Sequence, residues 1–331
     1  AYKHTYYVAG SPIAFDAKVF TADDTHPEGW GTILVVPFRL GGGSITVNAP
    51  VTNADKSTSA TDLTFDSAYV LMDITNPELP PSILGEITLP GTWTVSAPAV
   101  VVMRDAASGT PNKFYLAVGS GPTDARKVSS TQALRVNVYD VASFINPTTK
   151  PIPAKTFDLS GISATDGVNS FAGDLIASDF NLDGKAEAVY FGSVLGDGSS
   201  TTFGGHFWRL LTNGDQDATK WTATEMLRLT DTSGSVNATN GMPVTVRPTL
   251  ARNDRGAPMV YFGTGRLFNS ADKATAGQQR IFGLIDTALL PTGDAQAATP
   301  ISFSTLINVT GISVNGTDPV TQKVTGLPTD N

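Results

Sequence analysis

Apolar residues in this chain fall in short runs rich in Val, Ile, Thr and Tyr, cut by clusters of Gly, Pro, Asn and Asp. Spacing at helical intervals is nearly absent, so the pattern predicts an all-β fold. The runs also recur in a fixed order. A first strand ends near an Asp in residues 11–16, 97–105, 174–179 and 247–254. A second closes on or beside a Gly in 33–41, 114–121, 188–193 and 259–265. A third occupies 69–73, 136–140, 206–210 and 281–286, and a fourth 85–90, 155–161, 224–231 and 301–311.

Four strand types, repeated four times at a spacing of roughly 75 residues, predict a β-propeller of four-stranded antiparallel blades. A four-stranded sheet cannot bury both faces alone, and stacking blades around an axis covers them. The second strands, apolar on both faces, are expected near that axis. The Gly that ends each one is expected to let the chain turn without a Cβ clash. A β-sandwich or two small β domains is the competing arrangement, and the repeated strand order favours the propeller. Residues 1–331 therefore read as a single domain. Two insertions between second and third strands, 42–67 and 196–205, are rich in Thr, Ser and Gly. They are expected to be mobile loops, either for recognition or as solvated filler.

Composition narrows the function. Only 16% of the 331 residues are charged, and the net charge is −8. Nucleic-acid affinity comes mainly from Lys and Arg on phosphates, and no basic run is present, so no nucleic-acid partner is expected. No apolar run approaches the roughly 18 residues of a membrane span. Absence of Cys removes disulfides, thiolate metal sites and Cys nucleophiles together. Low charge, acidity and abundant Gly and Thr fit an extracytoplasmic surface. The start at Ala1 points to a processed or excised piece.

The strongest local motif is Asp179-Phe-Asn181-Leu-Asp183-Gly184-Lys185-Ala-Glu187. Oxygen side chains stand at positions 1, 3 and 5, and Gly184 stands where a small loop must turn sharply. Lys185 can offer its backbone carbonyl, and Glu187 closes the set. Ca²⁺ takes six to eight oxygens on such a curved loop, whereas Mg²⁺ prefers a tighter octahedron with retained waters. An EF-hand is excluded, because position 12 is Tyr190 and the flanks read as strands. The corresponding turns near Asp16, Asp105 and Asp254 lack the other ligands. A turn needs one Asx and a Gly, so the full acidic set points to Ca²⁺. The competing reading is an Asx-rich β-turn without metal.

Several segments taken together resemble the C-terminal β-propeller of PilY1-type type IV pilus proteins. They are HTYYVAGSP (4–12), YVLMDITNPELP (69–80), GDLIASDFNLDGKAEAVYFGSVLGD (173–197), VYFGTGRLF (260–268) and QQRIFGLID (278–286). The resemblance runs from His4 to about Thr325, and the acidic loop followed by VYFG is its most specific part. It implies a pilus biogenesis factor and tip-associated adhesin, exported to the periplasm, outer-membrane surface or pilus tip. It also implies roles in pilus extension, twitching motility and surface attachment. Minor pilins of the pilus tip and host or abiotic surfaces are the implied partners. The family's calcium loop has the form D-x-D-x-D-G-x-x-D, which places ligands at Asp179, Asn181, Asp183, the Lys185 carbonyl and Glu187. Asn181 and Glu187 each replace an Asp. Propellers of this type usually have about seven blades, so a domain truncated at both ends is implied.

An enzyme is not expected. No G-x-S-x-G elbow or H-E-x-x-H motif occurs, and the three His residues are His4, His26 and His206. His206, beside Phe207 and Trp208, reads as a packed or rim residue, and His4 and His26 as solvated. Arg266, after a Phe-Gly-Thr-Gly run, reads as a surface or inter-blade charge. An integrin-like or lectin-like propeller adhesion module shares the same acidic loop and remains the alternative, with a propeller enzyme such as a quinoprotein behind it.

Overall fold

The computed structural model describes residues 8–42, 45–52, 58–105, 111–162, 168–229, 241–274, 277–290, 300–301, 303–309, 313–315 and 323–325. The predicted repeats fold as four successive antiparallel sheets. Sheet one contains β1 (Ile13–Lys18), β2 (Trp30–Pro37), β5 (Ser67–Asp73) and β6 (Ser82–Thr88), paired in that order. The hairpin β3 (Ile45–Thr52) and β4 (Thr58–Phe65) is inserted between β2 and β5. Sheet two contains β7 (Ala99–Met103), β8 (Lys113–Gly119), β9 (Arg135–Asp140) and β10 (Lys155–Asp158). Sheet three contains β11 (Ser170–Ser178), β12 (Ala188–Leu195), β13 (His206–Leu211) and β14 (Thr222–Arg228). Sheet four contains β15 (Thr249–Arg252), β16 (Pro258–Gly263) and β17 (Ile281–Ile285). A short hairpin of β18 (Ser313–Asn315) and β19 (Lys323–Thr325) follows. No α-helix occurs among the described residues. The fold is an all-β propeller of blade-like meanders.

The period-2 alternation of strands explains how the sheets stack. In β8, Phe114, Leu116 and Val118 join Ile33, Val35, Tyr69 and Leu71 of sheet one in one buried cluster. The alternate residues Tyr115 and Ala117 join Ala172, Leu175, Val189, Phe191 and Trp208 of sheet three in another. In β12, Val189 and Phe191 face sheet two, while Ala188 and Tyr190 pack with Val260, Phe262 and Phe282 of sheet four. Strands β8 and β12 are apolar on both faces because sheets two and three each have a neighbour on both sides. Strands β2 and β16 alternate instead, and Tyr261 and Ile281 on the outer face of sheet four are 40% and 85% exposed. A smaller cluster draws on every unit, with Leu40, Val95, Val128, Phe171, Val194, Phe203 and Phe268 in contact.

Several expectations are corrected. The fourth strand expected at 301–311 is not formed in its described residues. Ile301 instead makes a parallel bridge to Leu227 of β14, its N–H donating to Met226, and Phe303–Thr305 is a 3₁₀ turn. The 42–67 insertion is not simply a loop, since β3 and β4 pair continuously from Ile45–Phe65 to Thr52–Thr58. The first unit's second strand stops at Pro37, short of Gly41, and a 3₁₀ turn Arg39–Gly41 follows. Proline has no N–H to carry the ladder onward. The glycines of the second strands serve close approach more than turning. A Cβ on Gly192 would lie 2.1 Å from Val244, and one on Gly121 would lie 1.3 Å from the Trp93 carbonyl oxygen. Among them Gly265 has the positive φ, +131°, that the turning role requires.

Candidate metal centre

Residues 179–187 connect β11 to β12. They form a closed turn because the backbone supplies donors where the side chains supply acceptors. Asp179 accepts the N–H of Asp183 (3.1 Å) on one oxygen and that of Gly184 (2.8 Å) on the other. Glu187 accepts Phe180 N–H (2.7 Å) and Asn181 N–H (3.2 Å). Asn181 Oδ1 and Asp183 Oδ1 each accept the N–H two residues on, at 2.9 and 2.7 Å, which is the Asx-turn geometry. Leu182 and Gly184 take φ of +61° and +86° to close the curve. Five N–H groups, making six hydrogen bonds, thus face the side-chain oxygens, so the turn is held in shape by its own backbone.

Asp179, Asp183 and Glu187 each place a carboxylate oxygen within 4.8 Å of the others, the one such acidic group among the described residues. Two oxygens on one Ca²⁺ lie at most about 5 Å apart, given metal–oxygen distances of 2.3–2.6 Å. The spacing therefore fits an ion of that size. Each oxygen that accepts one N–H keeps a second lone pair. Asn181 sits within this group, its amide donating to Asp183 Oδ2 at 3.2 Å. Lys185 forms a bridge with Met103 of sheet two, made by Gly184 O to Arg104 N (2.9 Å) and Ala186 N to Val102 O (2.9 Å). In that pairing the polar groups of Lys185 itself point away from β7, and its N–H is on Asp183 inside the loop. Its carbonyl thus also points away from β7.

Sequence reasoning missed the residues that clamp this turn from outside. The Arg104 side chain from sheet two lies against Gly184, where a Cβ would come within 2.7 Å of it. The Arg252 guanidinium from sheet four donates to the Phe180 carbonyl. Both arginines stand beside the corresponding turns of their own units, as Arg104-Asp105 and Arg252-Asn253-Asp254, and that recurrence was the available signal. Of those turns, Asp16 lies inside β1 opposite Thr32, which removes it as a turn residue. Residues 106–110 after Asp105 lie outside the described residues. The Asn253 turn is a simple Asx turn, accepting Arg255 and Ala257 N–H groups, with no carboxylate cluster.

The histidines are placed as follows. His206 is fully buried with Nδ1 2.6 Å from Glu225, in keeping with a packed residue. His26 is not solvated as expected: it stacks on Phe20 and bridges Asp23 and Asp73 at 3.1 and 3.0 Å. His4 lies outside the described residues. Arg266 is an inter-blade charge, its side chain 2% exposed and paired with Asp272.

The crystal structure of the Pseudomonas aeruginosa PilY1 C-terminal domain matches this chain with a TM-score of 0.57. The fold is that of the PilY1 C-terminal domain. Identity between the two is 20%, and the match covers 89% of this chain and 51% of that one. The chain therefore spans about half the length of that domain. No family model and no curated protein sequence matches it. No helix among the described residues is long and apolar enough to cross a membrane.

Proposed function

We propose that this chain is part of the propeller of an exported type IV pilus protein of the PilY1 type, a non-enzymatic scaffold that binds Ca²⁺. Asp179, Asn181, Asp183, the Lys185 carbonyl and Glu187 would hold the ion between β11 and β12. The observation that carries this reading is the acidic turn itself. It gathers three carboxylate oxygens within 4.8 Å on one strand connection, where the simple Asn253 turn of sheet four does not. The shared fold and the sequence segments that match in the same order, from 4–12 to 278–286, support the pilus assignment.

Contacts from Arg104 and Arg252 tie the turn to sheets two and four. An ion that stiffens this already formed turn would therefore bias how three sheets meet. A partner that recognises this arrangement, such as a minor pilin at the pilus tip, gains affinity with Ca²⁺ by linkage. Adhesion and support of pilus extension and twitching would follow from that recognition. Calorimetric titration of the calcium-free chain is the direct test, with Ca²⁺ expected to bind and Mg²⁺ to bind far more weakly. No heat and no thermal shift at millimolar Ca²⁺ would sink the metal reading. Capture of pilus components that is the same with Ca²⁺ and with chelator would sink the linkage.

A further inference from the structure

The other end of the same sheets carries a second site. In sheets two, three and four the connection from second to third strand runs through residues 120–134, 196–205 and 264–280. These three connections surround one cavity of about 400 Å³. It lies beside the cluster to which all four units contribute, sharing Phe203 with it.

The cavity is built on a fixed cation. The Arg266 side chain, 2% exposed, pairs with Asp272 at 2.9 Å and donates to the Val128 and Lys127 carbonyls at 2.9 and 2.8 Å. Its guanidinium carbon lies 3.6 Å from the Phe203 ring centroid. Asp272 also accepts the N–H groups of Phe268 (2.7 Å) and Asn269 (3.2 Å), so the acid in the lining is neutralised. Above this floor stand the exposed cations Arg126 and Lys127 and the hydroxyl-bearing residues Ser199, Ser200 and Thr201; the Lys127 ammonium also donates to the Gly198 carbonyl at 3.0 Å, and Ser200 Oγ accepts the Thr202 N–H at 3.0 Å. Two nearby acids are engaged locally: Asp124 accepts the N–H groups of Arg126 and Lys127, and Asp197 that of Ser199. The lining itself carries three cations, Arg126, Lys127 and Arg266, against the one acid Asp272, with Asp124 and Asp197 near Arg126 and Lys127, in a chain of net charge −8.

Small-molecule sites occupy roughly 300–1,000 Å³ and fix their ligands with a few placed polar groups. Cations suit a carboxylate, and neighbouring hydroxyl-bearing residues suit a polyol. A bare phosphate would need neither the volume nor the hydroxyls, and an extended acidic peptide needs a longer groove. We propose that this cavity binds one acidic sugar residue, of the uronic or sialic acid class. Arg126 and Lys127 would take its carboxylate, and Ser199, Ser200 and Thr201 its hydroxyls. The proposal rests on the cavity alone and is independent of the calcium reading.

The test is calorimetric titration of the whole chain in chelator with glucuronate, N-acetylneuraminate, glucose, inorganic phosphate and tetraglutamate. One or both acidic sugars are expected to bind, more weakly as salt rises. The double variant Arg126→Ala with Lys127→Ala should bind about tenfold or more weakly. Both side chains are exposed, so an unchanged melting temperature should confirm that this variant folds. The proposal is overturned by absence of binding to both acidic sugars, by glucose binding as tightly as glucuronate, or by tighter binding of phosphate or tetraglutamate. Unchanged affinity in the double variant also overturns it. Working in chelator keeps a failure here distinct from a failure of the calcium site.

Discussion

At one end of sheet three, residues 179–187 gather three carboxylates on one short turn; at the other, residues 196–205 help to wall a cavity lined by Arg126, Lys127 and Arg266. The first group is local. Its five backbone donors all come from within the turn, and Arg104 and Arg252 add support from outside. The second group is non-local, since Arg266 reaches carbonyls at Val128 and Lys127 more than a hundred residues away. A local site can hold its shape with little help from the fold. A non-local site exists only when the sheets are stacked, so its integrity reports on the whole domain.

That contrast sets the largest expected effect. Arg266→Ala leaves Asp272 buried without its cation, and breaking such a pair costs about 3–5 kcal/mol. Denaturant unfolding should show that loss, while Ca²⁺ still binds the turn under native conditions. Loss of Ca²⁺ affinity in the folded variant would mean that the two ends are coupled. Next in size is the ion itself. Free Ca²⁺ at a hundred times its dissociation constant should stabilise the chain by ~2.7 kcal/mol. Asp183→Ala should abolish that increment and change the calcium-free stability by only about 1 kcal/mol, because backbone bonds and neighbouring sheets still hold the turn. Global unfolding of Asp183→Ala would make the turn a core element and erase the distinction drawn above.

Acid offers a sharper separation. Burial pushes the Glu225 carboxyl up, but hydrogen bonds and charges from His206 and Arg228 outweigh it and hold the group below its ordinary value. A depressed carboxylate contributes stability that is present above its unfolded pKa and lost as pH falls through the lower folded one. With an unfolded value near ~4.3, stability should decline below that pH, and Glu225→Gln should flatten part of the decline in pH-dependent unfolding curves. An equally steep decline in that variant would shift the cause to other carboxylates. The smallest effect on stability belongs to the cavity rim. Replacing Arg126 and Lys127 by Ala should change unfolding free energy by no more than about 0.5 kcal/mol, so any larger change would show that the rim belongs to the structural floor.

Much of the fold was legible because strands advertise themselves locally. Runs such as AVVVM in β7 and AVYFGSVL in β12 are bounded by turn residues, and their order repeats. The acidic turn was legible for the same reason: all five of the residues proposed to hold the ion fall within nine positions of one another. The fourth strand of sheet four was misread because 301–311 has the composition of a strand, while Ile301 finds a bridge partner in β14 of the preceding sheet. The role of the second-strand glycines was misread because a neighbour such as Val244 against Gly192 is far away in sequence and absent from any local pattern. Nor could local pattern show that His26 would stack on Phe20 and reach Asp73.

The sequence by itself determined the strand order, the alternation that gives β8 and β12 two apolar faces, and the acidic turn at 179–187. These follow from periodicity and short-range hydrogen bonding, which act over a few residues. Only the tertiary structure decided which faces meet, which glycines admit a neighbour, and where Arg104, Arg252 and Arg266 place their charges. Those outcomes depend on close packing between sheets. Such packing joins residues separated by long stretches of chain, and it becomes defined only when the sheets stack.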